Sequence, residues 1–236
     1  MFTYKGIRSN DMHLRVLNEI SFTSPKRDVN IVQVLGRDGD LIVDNGRYES
    51  VIRNVPCRLE APNNMNVEQL INRINNWLID DAGFHELEWN NDPDFKYIAR
   101  IEGDIVSRRV LERFGKTIIK FRIHPIKYLK SSLEERQIVS GANIQNPYGI
   151  AKPIIRIVGR GDITLNIGGR MLRLQEIADG CIINTETQTI TDLQGRRTLF
   201  NHMRSPFPVL RPGNNAIVIS GSGIQVFITP RLGALL

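Results

Sequence analysis

Glu86 and Glu88, in the stretch GFHELEW, are the residues of this chain closest to a pattern that does acid–base chemistry. A carboxylate pair can hydrolyse a glycosidic bond when its two members flank a cleft from different elements. Two positions apart on an alternating strand, these two share one face, which describes a solvated acidic face better than a cleft. The four histidines, His13, His85, His124 and His202, are scattered without metal-ligand spacing. Cys57 and Cys181 are too few and too far apart for a disulfide framework or a zinc cluster. They read as reduced core residues of a protein made in a cytoplasm, with a single bridge between them as the alternative. There is no nucleophile elbow, Walker loop or dinucleotide fingerprint. GRDGD at 36–40 lacks the length and terminal Glu of a calcium loop and reads as a turn. GSG at 221–223 joins two strands and opens no helix, so it does not cradle phosphate. The expectation is a protein with no catalytic, metal-binding or cofactor-binding residues, and not an enzyme.

Arg160-Gly161-Asp162, within IIRIVGRGDITLNIGG, is the tripeptide of integrin-binding loops. Its flanks are strand-like. Ile163, Leu165 and Ile167 face inward, and Asp162, Thr164 and Asn166 face outward. The glycines of GRGD permit positive φ, and Asp162 can bond nearby backbone amides. The tripeptide reads as a backbone reversal, followed at once by a second one at Gly168-Gly169.

The elements that position these residues are mostly strands. In KTIIKFRIH, Thr117, Ile119, Phe121 and Ile123 face one way. Lys116, Lys120, Arg122 and His124 face the other, with Ile118 the exception. FKYIARIE sets Tyr97, Ala99 and Ile101 against Lys96, Arg100 and Glu102. ERFGKT reads as the end of a hairpin joining two such strands, and long charged hairpins with exposed edges hint at assembly. One helix is predicted over 66–79. Val67, Leu70, Ile71, Ile74, Trp77 and Leu78 form its apolar stripe, Asn66 and Gln69 stand in capping-box positions, and Gly83 lies beyond its end. Near 130–147 the chain turns polar. Beyond that connector, short strands at 154–158, 163–167, 171–174, 181–184, 188–191, 216–219 and 224–229 predict an antiparallel sandwich.

At 236 residues, 41% apolar and 24% charged, the chain has the length and composition of a globular protein with a proper core. No apolar run reaches bilayer-spanning length, and the N-terminal segment lacks the pattern of a signal peptide. The net charge of +6 is unevenly placed. Residues 96–130 hold ten Lys and Arg against three acids, a block of +7, while 77–94 hold six acids and no Lys or Arg. A nucleic-acid binder gains nothing from the acidic block. Two readings remain open: adjacent strands neutralise each other, or unlike faces of neighbouring subunits meet head to tail.

Several separated stretches together resemble one family, the distal tail proteins of long non-contractile-tailed bacteriophages. FTYKGIRSNDMHLRV and VLGRDGDLIVDNGRYES carry the resemblance at the start. The helix with GFHELEW, and the strand reaching FRIHPIKYL, follow in order. NPYGIAKPIIRIVGRGDITLNIGG and FPVLRPGNNAIVISGSG carry it in the second half. The resemblance covers essentially the full chain. It implies a mainly β protein, with a ring-forming N-terminal β-sandwich domain over 1–134 that has one helix and a long hairpin, or belt. A galectin-like β-sandwich over 145–229 follows, and then a tail, 230–236, that returns to the first domain. It also implies a structural hub of the virion tail, assembled in the bacterial cytoplasm. In that role a homo-hexameric ring joins the tail tube protein to the tail-tip complex, and DNA passes through the lumen without specific binding or membrane contact.

On this reading the 95–124 hairpin is the belt, with Arg100, Arg108, Arg109, Arg113, Lys116 and Lys120 at the subunit contact. Asp80, Asp81, Glu86 and Glu88 form the acidic counter-face. The alternative is a carbohydrate-binding module that attaches to the host cell wall. Galectins use a Trp platform, whereas Trp77 and Trp89 both precede the second half of this chain. If the tripeptide is only a backbone reversal, Asp162→Glu leaves adhesion of integrin-bearing cells unchanged in a plate-binding assay; a loss of adhesion would overturn that assignment.

Overall fold

The computed structural model describes residues 1–17, 23–221 and 223–236. It divides into two compact units, 1–127 with 235–236, and 128–234. Both are mainly β, with antiparallel sheets throughout.

The first unit contains β1 (Phe2–Tyr4), β2 (Ile7–Arg8), β3 (Leu14–Val16), β4 (Arg27–Val32), β5 (Leu41–Tyr48) and β6 (Val51–Glu60). After α1 (Val67–Leu78) come β7 (His85–Trp89), β8 (Asp92–Ile101), β9 (Ser107–Leu111) and β10 (Phe114–Ile123), and β11 (Ile126–Leu129) begins in this unit and ends in the next. Its main sheet runs β2-β1-β7-β8-β10-β6-β3, with β9 added to β10. The longest ladder is β6 with β10, ten register pairs from Phe114 opposite Glu60 to Ile123 opposite Val51.

Side chains alternate across this ladder as the residue pattern requires. Thr117, Ile119, Phe121 and Ile123 are buried, as are Val55, Cys57 and Leu59. The helix closes over this inner face. Val67, Leu70, Ile74, Trp77 and Leu78 are buried in one core with Phe2, Tyr4, Leu87 and Phe121. Both halves of the capping box form: Asn66 Oδ1 accepts from Gln69 N–H at 2.9 Å, and Gln69 Oε1 accepts from Asn66 N–H at 3.0 Å. Gly83 does not end the helix, contrary to the sequence expectation. Ile79 caps it through its N–H to Asn75 O, 2.9 Å. Gly83 lies four residues later, where its N–H donates to Asp81 Oδ1 at 2.6 Å.

The strands at 95–124 are not a free-standing hairpin. β9 and β10 meet in a tight turn at Glu112-Arg113, but β10 is flanked by β6 and β8 inside the main sheet. Among the described residues, β4–β5 forms a separate two-stranded ribbon that pairs with no other strand. GRDGD is its turn, with Gly36 and Gly39 in the left-handed region at φ 77° and 79°. At the other end of the chain, Leu236 N–H donates to Pro125 O at 3.0 Å, and the Leu236 side chain packs on the first unit's core.

The second unit contains β12 (Arg136–Ile138), β13 (Asn143–Asn146), β14 (Ile154–Val158), β15 (Gly161–Ile167), β16 (Arg170–Ile177) and β17 (Gly180–Asn184). β18 (Thr189–Thr191), β19 (Gly213–Ser220) and β20 (Gln225–Thr229) follow, and β21 (Gly233–Leu235) ends the chain. The five-stranded sheet β12-β20-β14-β17-β18 and the four-stranded sheet β13-β19-β15-β16 bury a shared core that includes Ile155, Ile157, Ile163, Leu165, Leu172, Ile183 and Ile217. This is a β-sandwich.

GRGD crosses between the two sheets and does not close a hairpin: β14 lies in one sheet and β15 in the other. Gly161 adopts φ 85° beside a bulge. Asp162 Oδ1 accepts from Glu176 N–H at 3.0 Å, and Arg160 pairs with Asp179 at 2.7 Å. The hairpin predicted at Gly168-Gly169 does form, Ile167 opposite Arg170. GSG is also a crossover between sheets; its Ser222 lies outside the described residues. Two strands, β12 and β13, occupy the polar segment read as a connector. Both are edge strands with one or two buried side chains each, so their sequence looks like a linker.

Cys57 and Cys181 are free and buried, and burial pushes each thiol up to about 12. They are structural and inert.

The capping box gives a direct check on the helix. Asn66→Ala removes one bond of the box and leaves the first-turn amides short of an acceptor. It should lower unfolding free energy by about 1 kcal/mol in urea titrations, while Asn66→Asp should retain most of the stability.

Candidate functional site

The ten charged side chains singled out from sequence as contact residues are all on the first unit, and its outer sheet surface brings some of them together. Because directly opposite residues of an antiparallel pair share a face, register alone fixes the pattern. Arg108 lies opposite Lys116, Lys116 opposite Arg58, and Arg58 opposite Arg15. Four cations therefore cross four strands in one exposed row. Arg58 stacks over the Phe114 ring at 4.9 Å, and Arg15 lies 3.8 Å from Glu60. Two positions along, Ile118 faces Pro56, and Leu17 N–H donates to Pro56 O at 2.9 Å. With Val106 these form the floor of a groove of about 520 Å³, rimmed by Arg108, Lys116, Lys120 and Asp104. Ile118 and Val106 are 50% and 63% exposed, so the groove is an apolar strip bordered by positive charge.

The other three basic residues go elsewhere. Arg100 and Arg122 lie opposite each other and both engage Glu102, at 2.9 and 2.7 Å. Arg109 pairs with Glu68 of α1 at 2.8 Å. Arg113 donates twice to Ala61 O, at 3.1 and 2.8 Å, fastening the β9–β10 turn to the chain ahead of the helix. The six residues are thus three on the groove and three in internal contacts.

The acidic residues are drawn into pairs within the unit. Lys5 bridges Asp80 and Asp81, and Glu86 pairs with Lys96 at 2.9 Å. Glu88 lies on β7 opposite Thr3. Asp81 also bonds His85 at 2.6 Å. The His85 bond, then Lys5, then the Gly83 N–H hold the Asp81 carboxyl well below the usual carboxylate range. Of the six acids at 77–94, Glu86 and Asp92 pair with Lys96 and Lys127 of the basic block, while Asp80 and Asp81 pair with Lys5, outside it.

Sequence reasoning missed Arg15 and Arg58, which complete the row, and the β4–β5 ribbon. The core of the first unit takes no residue from 27–48. Ile31 and Ile42 face each other on one side of the ribbon, 63% and 64% exposed. Val32, Leu41 and Val43 lie on the other side, and Leu35 near the tip is fully exposed. Ion pairs between its own strands, Arg27 with Asp44 at 2.7 Å and Arg47 with Asp28 at 2.5 Å, brace its base. Alternating strand-like runs on either side of Gly36 and Gly39 were the available signal. Among the described residues no cluster of three or more metal-ligating side chains occurs, and no helix is long and apolar enough to cross a membrane.

In comparisons with solved structures, the chain is similar to the Dit protein of phage SPP1, described as a paradigm of the hub adsorption apparatus in phages that infect Gram-positive bacteria. The TM-score is 0.71 at 16% identity, over 96% of each chain. It is also similar to the baseplate of phage p2 in its activated conformation, with strontium or with calcium, at 13% identity over 92% of this chain and 90% of that one. There the TM-score is 0.47, too low to argue from. No family model and no curated protein matches the sequence. At 16% identity the first likeness establishes a shared fold along the chain.

Like charges set directly opposite on a sheet destabilise it. Lys116→Gln interrupts the row at its centre and should raise the urea midpoint of the isolated protein at low salt, with the gain shrinking as salt is added. A midpoint that falls would show that Lys116 is stabilised by its neighbours and that the row is not a surplus of charge.

Proposed function

We propose that this protein is a structural hub of a phage tail, working by geometry and without catalysis. Identical copies close into a hexameric ring that joins the tail tube protein to the tail-tip complex and leaves a lumen for DNA. The virion tail is its location, reached after assembly in the host cytoplasm. The fold shared with a phage hub protein supports this reading over its full length. The single observation that carries it is the β4–β5 ribbon. A two-stranded ribbon alone is marginal in water, and this one bares apolar side chains on both faces. It needs a cover, and closed rings of identical subunits supply one by laying an element of each copy on the next.

The ribbon, and not the 95–124 strands, is the arm of this arrangement. The groove floored by Ile118, Pro56 and Leu17 and rimmed by Arg108, Lys116 and Lys120 is the surface on the same unit that suits a partially apolar, acidic arrival. The ribbon tip has that character: Leu35 and Val34 stand near Asp38 and Asp40, which outnumber Arg37 by one charge. Arg100, Arg109 and Arg113 keep their internal partners in this scheme. DNA passes the lumen without specific binding, because a strongly cationic lining would hold it back.

Native mass spectrometry tests the reading. The wild-type chain, alone or mixed with its tail components, should give a ring-sized oligomer. Ile31→Asp with Ile42→Asp should release monomers whose circular dichroism and melting temperature match those of the wild type. A wild-type chain that stays monomeric under every condition, or a double variant that assembles as before, would overturn it.

A further inference from the structure

The base of the β4–β5 ribbon holds the one Asn-Gly pair of the sequence, Asn45-Gly46. An asparagine followed by glycine can close on itself, because no Cβ crowds the backbone nitrogen that attacks the carboxamide. A regular ladder clamps the backbone at such a pair. Here the ladder is interrupted. Arg27 lies opposite Tyr48 and Val29 opposite Asp44, so Asn45, Gly46 and Arg47 stand against Asp28 alone. Gly46 takes φ 74°, and its N–H donates within its own strand, to Asp44 Oδ1 at 2.8 Å. Asn45 and Gly46 are exposed. Among the described residues, nothing lies within 4 Å of where a Cβ on Gly46 would stand.

The neighbouring side chains face the atoms that a ring closure changes. An ionised Asp28 can only accept, so the Asn45 amide turns Nδ2 toward Asp28 Oδ1, at 2.9 Å, and its oxygen toward Asn30. Asn30 Nδ2 donates to Asn45 Oδ1 at 3.3 Å, where negative charge gathers as the carbonyl carbon is attacked. Arg27, and then the Gly46 N–H, hold the Asp44 carboxyl below its ordinary range, so it meets the attacking nitrogen as a carboxylate. Nucleophile, carbonyl oxygen and leaving nitrogen each have a partner in place.

We propose that Asn45-Gly46 is a site of self-modification, at which the subunit converts its own asparagine to aspartate and isoaspartate. The Gly46 nitrogen gives up its proton by way of Asp44 and bonds to Asn45 Cγ. The Cγ–Nδ2 bond breaks, and Nδ2 departs as ammonia with a proton equivalent to the one Gly46 lost. Water then opens the succinimide. Cleavage at Cγ gives aspartate, and cleavage at the main-chain carbonyl gives isoaspartate.

Either product disturbs the ribbon. A carboxylate at 45 meets Asp28 where the amide donated, and like charges so placed repel. Isoaspartate also leads the main chain through its side-chain carbon, which lengthens β5 and upsets its register with β4. The assignment does not rest on ring formation, and it is read on different signals.

Peptide mass mapping of the full chain, after prolonged incubation at mildly alkaline pH in heavy-oxygen water, tests the site. The variant Ile31→Asp with Ile42→Asp is incubated beside it, so that a covered ribbon is not mistaken for an unreactive one. In at least one of the two, Asn45 should convert at least about tenfold faster than every other asparagine and no slower than about a tenth of its rate in urea. The product should contain one heavy oxygen and include isoaspartate. Asn45→Gln, which must close a larger ring, should remain unconverted. Slower conversion in both proteins shows a clamped ladder and overturns the site, and aspartate without isoaspartate overturns the cyclic route. Aged protein and Asn45→Asp should exchange the amide hydrogens of β4 and β5 several-fold faster than fresh protein. Unchanged exchange in both overturns the loosening of the ribbon.

Discussion

The β6–β10 ladder is the constraint on which the rest of the first unit depends. Ten consecutive register pairs with a period of two leave no freedom. Once Ile119 and Phe121 turn inward beneath α1, Lys116, Ile118 and Lys120 must turn outward, and so must Arg58 opposite Lys116. A slip of one residue would bury the cations and expose the core, at a cost no other contact could offset. The ladder therefore fixes, in one act, the hydrophobic core and the outward charge. It also carries Arg53 inward, opposite Phe121, to a pocket bounded by Trp89 and Tyr97.

The charge blocks show how a local sum misleads when the partners are distant in sequence. The acids of 80–86 meet Lys5 and Lys96, and Glu68 on the helix meets Arg109. These exposed pairs add little stability individually. Their consequence is spatial: they cancel charge over one region of the unit, while the row Arg15, Arg58, Lys116 and Arg108 has one acidic partner, Glu60 beside Arg15. The row of like charges lies beside an apolar strip, with Glu60 near one end and Asp104 on the groove rim.

The second unit solves a different problem, joining two sheets with short crossovers. GRGD and the glycine-rich segment after β19 each lead a strand from one sheet into the other, and both use glycine in left-handed or otherwise restricted conformations. Buried amides anchor the turns that the sheets cannot satisfy. Asn146 donates to Gly149 O and Leu210 O, and Asn215 donates to Ile144 O and Arg211 O while accepting from Arg211 N–H. These are polar side chains in a hydrophobic sandwich with their hydrogen bonds made, which is how such groups are accommodated.

The residue pattern by itself determined the alternating strands, the single helix with its capping box, the mainly β class and the absence of a recognisable catalytic motif. Each of these is written in neighbours one to four positions apart, where periodicity and local hydrogen bonding decide. The partner of each strand was not legible, because pairing is settled by distant residues competing for the same ladder. That is why the 95–124 segment looked like a free hairpin and is instead the middle of a sheet, and why the edge strands at 136–138 and 143–146 looked like a linker. It is also why the ribbon at 27–48, whose strands differ little in composition from buried ones, could be recognised only from its lack of a share in the described core. The tertiary structure alone decided which charges meet, where Arg15 and Arg58 stand, and that Trp89 keeps a buried donor beside Arg53, since each of these depends on chains brought together from far apart.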